Sequence, residues 1–448
     1  MASRGSDIAG LGWVSIIRIG LVQASIGAMV VLPTTVLNRL MVVEYALLAA
    51  IPAGLVAWHY AVQLTRPLWG QISDKGRKRT PWILCGIAVL AAGVLLAARA
   101  TPVMANDFAT GFGLAVLAYT LIGVGVGMGG TSALALLASG VAPQRRAAAA
   151  ATTWIMMVAG IVASAIVVGK LLDPYSPERL LAIASGLAAA TITLCALATF
   201  RLERGHVQFE ETRKDEPAPD FRAAIAEIWS ETAARRFTVF IFVSMMAFSM
   251  QDLILEPFAG LVYGMTPGES TQLGGQHQGG ILLGMIVAGV GGSAFKGRLT
   301  SNLRAWIAGG CLLSALALSV LAISAMVGPG WPIGPNVFVL GFGNGVFAVA
   351  AIGAMMGLAG AGAKTREGVR MGVWGAAQAI AFGLGGLLGA VGVDAARRVL
   401  GHDGSAFQLI FAVEASLFVL AAVLAVRATR AAPTLGDEMG AGEKEVFA

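Results

Sequence analysis

The sequence predicts an all-α membrane protein: twelve transmembrane helices in two six-helix bundles related by a pseudo-twofold axis. Three observations predict it. The first is composition. Of 448 residues 57% are apolar, 12% are charged and 59 are glycine, too little polar surface to cover a water-soluble globule of this size. The second is that no period of two survives along the apolar runs, so helices are the only spans whose backbone groups all find internal partners. The third is repetition. Lys75-Gly76-Arg77 returns as Lys296-Gly297-Arg298, Trp82 as Trp306, Arg146 and Trp154 as Arg366 and Trp374, and Asp173 as Asp394, at spacings of 220 or 221 residues for all but the Trp82 pair. A repeat of half the chain in so apolar a sequence marks a transporter-like fold of two halves packed about an axis along the membrane normal.

Runs of about 20 apolar residues place the spans. In chain order they are 16–41, 46–70, 81–99, 111–138, 148–170 and 179–200, then 237–263, 279–295, 303–327, 335–360, 371–392 and 405–427. The loops between them are short, so neighbouring helices run antiparallel. Residues 1–200 form the first bundle, 201–236 a linker, 237–428 the second bundle and 429–448 a flexible tail. In the linker, Phe221, Ile225, Ile228 and Trp229 recur at near-helical spacing beside Arg222, Glu227 and Glu231. Two readings stand: an amphipathic helix lying on the membrane face, or a solvated connector.

Lysine and arginine crowd the loops of one side, from Lys75 and Arg77 through Arg145, Arg146, Arg235 and Arg236 to Lys364 and Arg366. The other side has chiefly Arg99, Lys170, Arg179, Arg397 and Arg398. By the positive-inside rule both termini and the linker are cytoplasmic. The formal net charge of +6 then reports topology, and no nucleic-acid partner is expected. Met1 to Gly10 carries no cleaved-signal pattern. Cys85, Cys195 and Cys311 stand one each in separate spans, with neither a disulfide framework nor a metal spacing.

Between spans 2 and 3, Gly70, Asp74, Lys75, Gly76 and Arg77 resemble the signature loop of the major facilitator superfamily, one residue short before Gly76. In that role the loop is a conformational latch; otherwise it sets topology alone. The second copy has Phe295 where the acid would stand. A narrower resemblance lies in Leu37-Asn38-Arg39-Leu40-Met41-Val42-Val43-Glu44, in Gln251-Asp252-Leu253-Ile254-Leu255-Glu256-Pro257-Phe258, and in Pro143-Gln144-Arg145-Arg146 leading to Trp154. These look like the PucC/LhaA family of phototrophic bacteria, from about residue 16 to 428. The resemblance implies photosynthetic antenna biogenesis in a bacterial inner membrane, cytoplasmic or intracytoplasmic photosynthetic: bacteriochlorophyll as a bound or transient ligand, with light-harvesting antenna polypeptides and pigment-synthesis enzymes as partners.

The residues add their own reading. Aligning spans 1 and 7 sets Asn38-Arg39-Leu40 against Gln251-Asp252-Leu253, and Glu44 near Glu256: the same pattern with the charge inverted. Ionisable groups at depth cost roughly 2.5–3.5 kcal/mol on insertion scales and are usually paired or functional. An outer gate of Arg39 with Asp252 or Glu256 follows, against the alternative that Arg39 and Glu44 snorkel to headgroups. Spans 4 and 10 offer glycines (Gly123, Gly125, Gly127, Gly341, Gly343, Gly345) and no acid or base, and span 7 adds Met245, Met246 and Met250. That reads as a wide apolar interior, or as helix-packing glycines and nothing more. Of four histidines only His59 is placed at membrane depth, flanked by Trp58 and Tyr60; His277 and His402 are placed in loops. His59 is thus the candidate axial ligand for a magnesium tetrapyrrole, against a packing role.

The function expected is a light-harvesting assembly factor that handles bacteriochlorophyll. The rivals are a secondary transporter of a small solute and a pigment-free scaffold. Phosphate loop, metal cluster and activated nucleophile are all missing from the sequence, so no enzyme is expected.

Overall fold

The computed structural model describes residues 11–75, 78–141, 145–203, 229–294, 303–360 and 367–428. They form twelve helical rods: α1 (Trp13–Glu44), α2 (Ala50–Val62, carried on through a 3-10 turn by Arg66–Lys75), α3 (Thr80–Asn106), α4 (Phe108–Gly140), α5 (Arg146–Leu172), α6 (Pro177–Thr199), α7 (Thr232–Tyr263), α8 (Pro267–Ala294), α9 (Leu303–Val327), α10 (Ile333–Gly360), α11 (Glu367–Leu400) and α12 (Asp403–Ala428). Ten of these are long and apolar enough to cross a membrane. The other two are α2, whose apolar stretch Ala50–Val62 is only 13 residues long, and α8, whose first half carries several polar side chains.

Packing repeats as the sequence does. In the first half α1 packs on α5 and α6, α3 on α4 and α6, and α2 on α4. In the second half α7 packs on α11 and α12, α9 on α10 and α12, and α8 on α10. Each pair of the second set is a pair of the first with six added to both numbers, which is the pseudo-twofold. The halves meet where α5 packs on α8 and α2 on α11, again a twofold pair.

Two helices depart furthest from the expected bounds, each for a local reason. The sequence reading begins the eighth span at 279, but α8 begins at Pro267. Thr266 and Glu269 form a capping box: Glu269 N–H donates to Thr266 Oγ1 at 3.2 Å and Thr266 N–H to Glu269 Oε2 at 2.9 Å, with Pro267 at the first helical position. The eleventh span, expected to end at 392, runs to Leu400 and stops where Gly401 takes φ +67°, a left-handed cap that glycine adopts freely. In α1, π turns at Leu32–Val36 and Leu40–Glu44 widen the rod around Pro33, whose carbonyl accepts the Tyr119 hydroxyl of α4 at 2.6 Å. Such turns expose carbonyls that a regular helix would occupy. Linker residues 204–228, including Phe221, Ile225 and Ile228, and the loops around Gly76 and Arg77, Phe295 and Lys296, and Arg366 lie outside the described residues.

Candidate functional site: a central cavity with one sealed end

A cavity of about 300 Å³ lies between the halves, lined mainly by α1, α2, α5, α7, α8 and α11. Its walls are mostly apolar, with Phe248 and Phe382 on one side and Met157 and Ile161 on the other. Into this lining α7 sends Asp252 and Glu256, one helical turn apart, while α2 brings His59, Tyr60 and Gln63 and α8 brings His277. Glu256 is buried, and neither carboxylate oxygen has a hydrogen-bond partner among the described residues. It points at Gly274 of α8, where a Cβ would stand 2.6 Å from Oε1.

The close approach of α8 and α10 creates the cavity's largest polar network. A Cβ on Gly341 would stand 2.1 Å from the His277 carbonyl oxygen, so only glycine lets the two backbones come this near. At that separation His277 Nε2 lies 3.4 Å from Asn344 Nδ2 and 3.5 Å from Gln251 Nε2, and Ser314 donates to Asn344 Oδ1 at 2.8 Å. Four helices, α7 to α10, are thereby tied through one buried imidazole. On α2, Gln63 Nε2 stands 2.8 Å from His59 Nε2, and Gln63 Oε1 accepts from Arg66. These amides act as donors, so both imidazoles use Nε2 as acceptor.

Above the cavity the halves are bonded together, at the end that carries the α1–α2, α5–α6, α7–α8 and α11–α12 connections. Pro257 has no N–H to offer the carbonyl four residues back, which is Leu253. Asn38 of α1 fills the vacancy, donating Nδ2 to Leu253 O at 2.7 Å. Arg39, 2% exposed, bonds Glu44 of its own helix at 2.5 Å and the Met265 carbonyl of the other half at 2.6 Å. Two aspartates complete the seal. Asp173, after α5, accepts from Thr266 Oγ1 at 2.5 Å and Gly268 N at 3.0 Å. Asp394, on α11, accepts from Ala49 N at 3.1 Å and Ala50 N at 2.8 Å. Each carboxylate thus caps the start of a helix from the opposite half, α8 or α2, satisfying N–H groups a helix cannot satisfy itself. Beside them Tyr45 and Tyr175 share a 2.7 Å hydroxyl bond, and burial holds both phenols above the usual tyrosine range.

Several sequence expectations are corrected here. Arg39 pairs with Glu44 and the Met265 carbonyl, which use its terminal guanidinium nitrogens, while Asp252 and Glu256 line the cavity and make no ion pair with it. The interior is less apolar than spans 4 and 10 imply, since its acids and histidines come from α7, α2 and α8. His277 belongs to a buried helix, not to a loop. Trp58 turns outward to Thr120 at 2.8 Å, so only Tyr60, 5.1 Å from His59 between ring centroids, flanks the imidazole. Gly123 and Gly125 of α4 are packing glycines, as the second reading of those glycines has it: a Cβ on Gly123 would meet the His59 carbonyl oxygen at 2.8 Å, and one on Gly125 would meet Leu90 N at 2.5 Å. Gly70 faces Thr131 at ordinary distance; Asp74 and Lys75 close α2, their side chains outside the described set, as are those of Arg146 and Trp374. Trp154 lines the cavity, half-exposed. The cross-half caps escaped sequence reasoning, although the 221-residue spacing of Asp173 and Asp394 was their signal.

The architecture matches solved transporters. A bacterial homologue of the lysosomal transporter Spinster superposes with TM-score 0.68 at 13% identity, covering 93% of this chain and 96% of that one. The nucleoside transporter NupG gives 0.64 at 13%, covering 93% and 100%. These show the major facilitator fold. Sequence relatives go further. The family model described as PUCC protein matches residues 36–432. The chain belongs to the PucC family. Among its relatives, the "Bacteriochlorophyll synthase 44.5 kDa chain" of Rhodobacter capsulatus is 49% identical, covering 93% of this chain and 95% of that protein. "Protein PucC" of the same organism is 30% identical over 92% and 91%. For this PucC-family protein the fold match is to a build of two six-helix halves around a central cavity. The Gln251 to Phe258 segment thereby acquires a physical role, since its proline frees the carbonyl that Asn38 of the opposite half occupies.

Proposed function

We propose that this multi-pass membrane protein is an assembly factor for light-harvesting complexes, handling bacteriochlorophyll for antenna polypeptides as they insert, rather than a catalyst. The observation that carries this reading is the near full-length match to the PucC family and to a relative whose name refers to bacteriochlorophyll. In this reading both termini are cytoplasmic, which the positive loops support, and the sealed end faces away. The pigment is cargo, and the cavity sets limits on where it sits. Its 300 Å³ is at the lower end of small-molecule sites, and Nε2 of both His59 and His277 is already hydrogen-bonded. The residues do not fit an axially ligated, enclosed tetrapyrrole, so the reading assigns no pigment to His59. Deleting the gene in a pigment-producing host tests it: antenna absorption bands fall while free bacteriochlorophyll persists. Unchanged antenna bands would sink the proposal.

One observation favours a second reading, a secondary transporter. Asp252 and the unpartnered Glu256 face the cavity, the placement that ion- or solute-coupled carriers use. Solute-dependent thermal stabilisation of pigment-free protein would support it.

A further inference from the structure

A second cavity, of about 620 Å³, runs along the outside of the first half between α5 and α6, beside the sealed end. Its floor on α6 is small: Ala182, Gly186 and Ala190 follow one another at four-residue intervals, all exposed. A Cβ on Gly186 would meet nothing within 4 Å, so the space above it is open. Val167 and Leu171 of α5 form the opposite apolar wall. The top of the groove is basic. Lys170 is exposed and makes no hydrogen bond or ion pair among the described residues, and Arg179 spends one nitrogen, Nη1, on the carbonyls of Asp173 and Pro174. The one carboxylate in the lining, Asp173, is turned to Thr266 and Gly268 of the other half. A long apolar slot capped by two cations with donors to spare has the chemistry of a phosphate headgroup with an acyl chain beneath it.

We propose that this groove binds one anionic phospholipid, its phosphate between Lys170 and Arg179 and one chain along Ala182, Gly186 and Ala190. In the twofold-related corner the position of Lys170 is Val391, and Arg397 is paired with Asp403 at 2.6 Å. Lys170 is therefore particular to the first half, while the second-half corner keeps an exposed Arg398. The site does not depend on the assembly-factor reading.

The test is native mass spectrometry of the full chain exchanged against phosphatidylglycerol or phosphatidylcholine of identical chains. Phosphatidylglycerol is retained over phosphatidylcholine, and Lys170→Ala cuts that preference about fivefold, as expected for one basic residue near a headgroup. Gly186→Leu fills the slot and removes retention of both lipids; Ala182→Leu serves if the first variant does not elute as a single peak. Equal retention of the two lipids by the wild type overturns the proposal, as does a preference unmoved by Lys170→Ala. Inorganic phosphate raising the melting temperature as much as phosphatidylglycerol would make this a free-anion site and overturn the lipid assignment.

Discussion

Pro257 is usually read as a helix breaker, yet here it acts through the carbonyl it leaves behind. Leu253 O has no intrahelical partner and Asn38 supplies one from the other half. Asn38→Leu should therefore lower thermal stability by about 1–3 kcal/mol, the cost of an orphaned buried acceptor. In a Pro257→Ala background the alanine N–H reaches Leu253 itself, and the loss from Asn38→Leu should shrink by about 1 kcal/mol. Additive effects in that cycle would show that Asn38 does not answer the proline. Arg39 makes a parallel point. Its coupling should be measured with Glu44, 2.5 Å away, and a charge swap between Arg39 and Asp252 should recover nothing. The sequence displayed both motifs and their inverted charges. It did not display the partners, because a carbonyl carries no residue signature.

At the scale of elements, α8 and α10 lie so close that Gly341→Ala would drive a methyl into the His277 carbonyl. Overpacking of this kind costs about 1–3 kcal/mol, and it should also disrupt the hydrogen bonds to His277, which histidine NMR shifts would report. Normal shifts with an unchanged melting temperature would refute the close packing. Most rods were legible as apolar runs, whereas α8 was shortened by twelve residues because its first three turns carry Glu269, Gln272, Gln276, His277 and Gln278. Hydropathy misses a helix whose polar residues are spread over its cap, its helix contacts and the cavity, where only His277 and Gln278 of these five look in. The capping box at Thr266 and Glu269 was the available sign.

For the whole molecule the repeat was the most faithful guide. A spacing of 220 or 221 residues anticipated two halves, and the packing repeats pair for pair. The cavity was not legible, since its walls come from six helices scattered over the chain and its shape depends on helix rotation. Orientation is testable directly. Cysteines introduced at Ser230 and Ala441 should resist impermeant thiol reagents in intact cells while one at Gly330 labels; the reverse pattern would invert the topology.

Asp173 and Asp394 make the closed face a door with two clasps, one on each side of the pseudo-twofold axis. Either clasp alone still holds helix ends from the opposite half, so in the transporter reading opening requires both to let go together, and intermediate, half-open forms gain little. Removing one clasp by Asp173→Ala or Asp394→Ala should raise the open population about tenfold for each 1.4 kcal/mol of lost bonding, and removing both should multiply the two factors rather than add them. Distance measurements between spin labels across that face would read the populations; a single variant as open as the double would mean that one aspartate alone carries the closure.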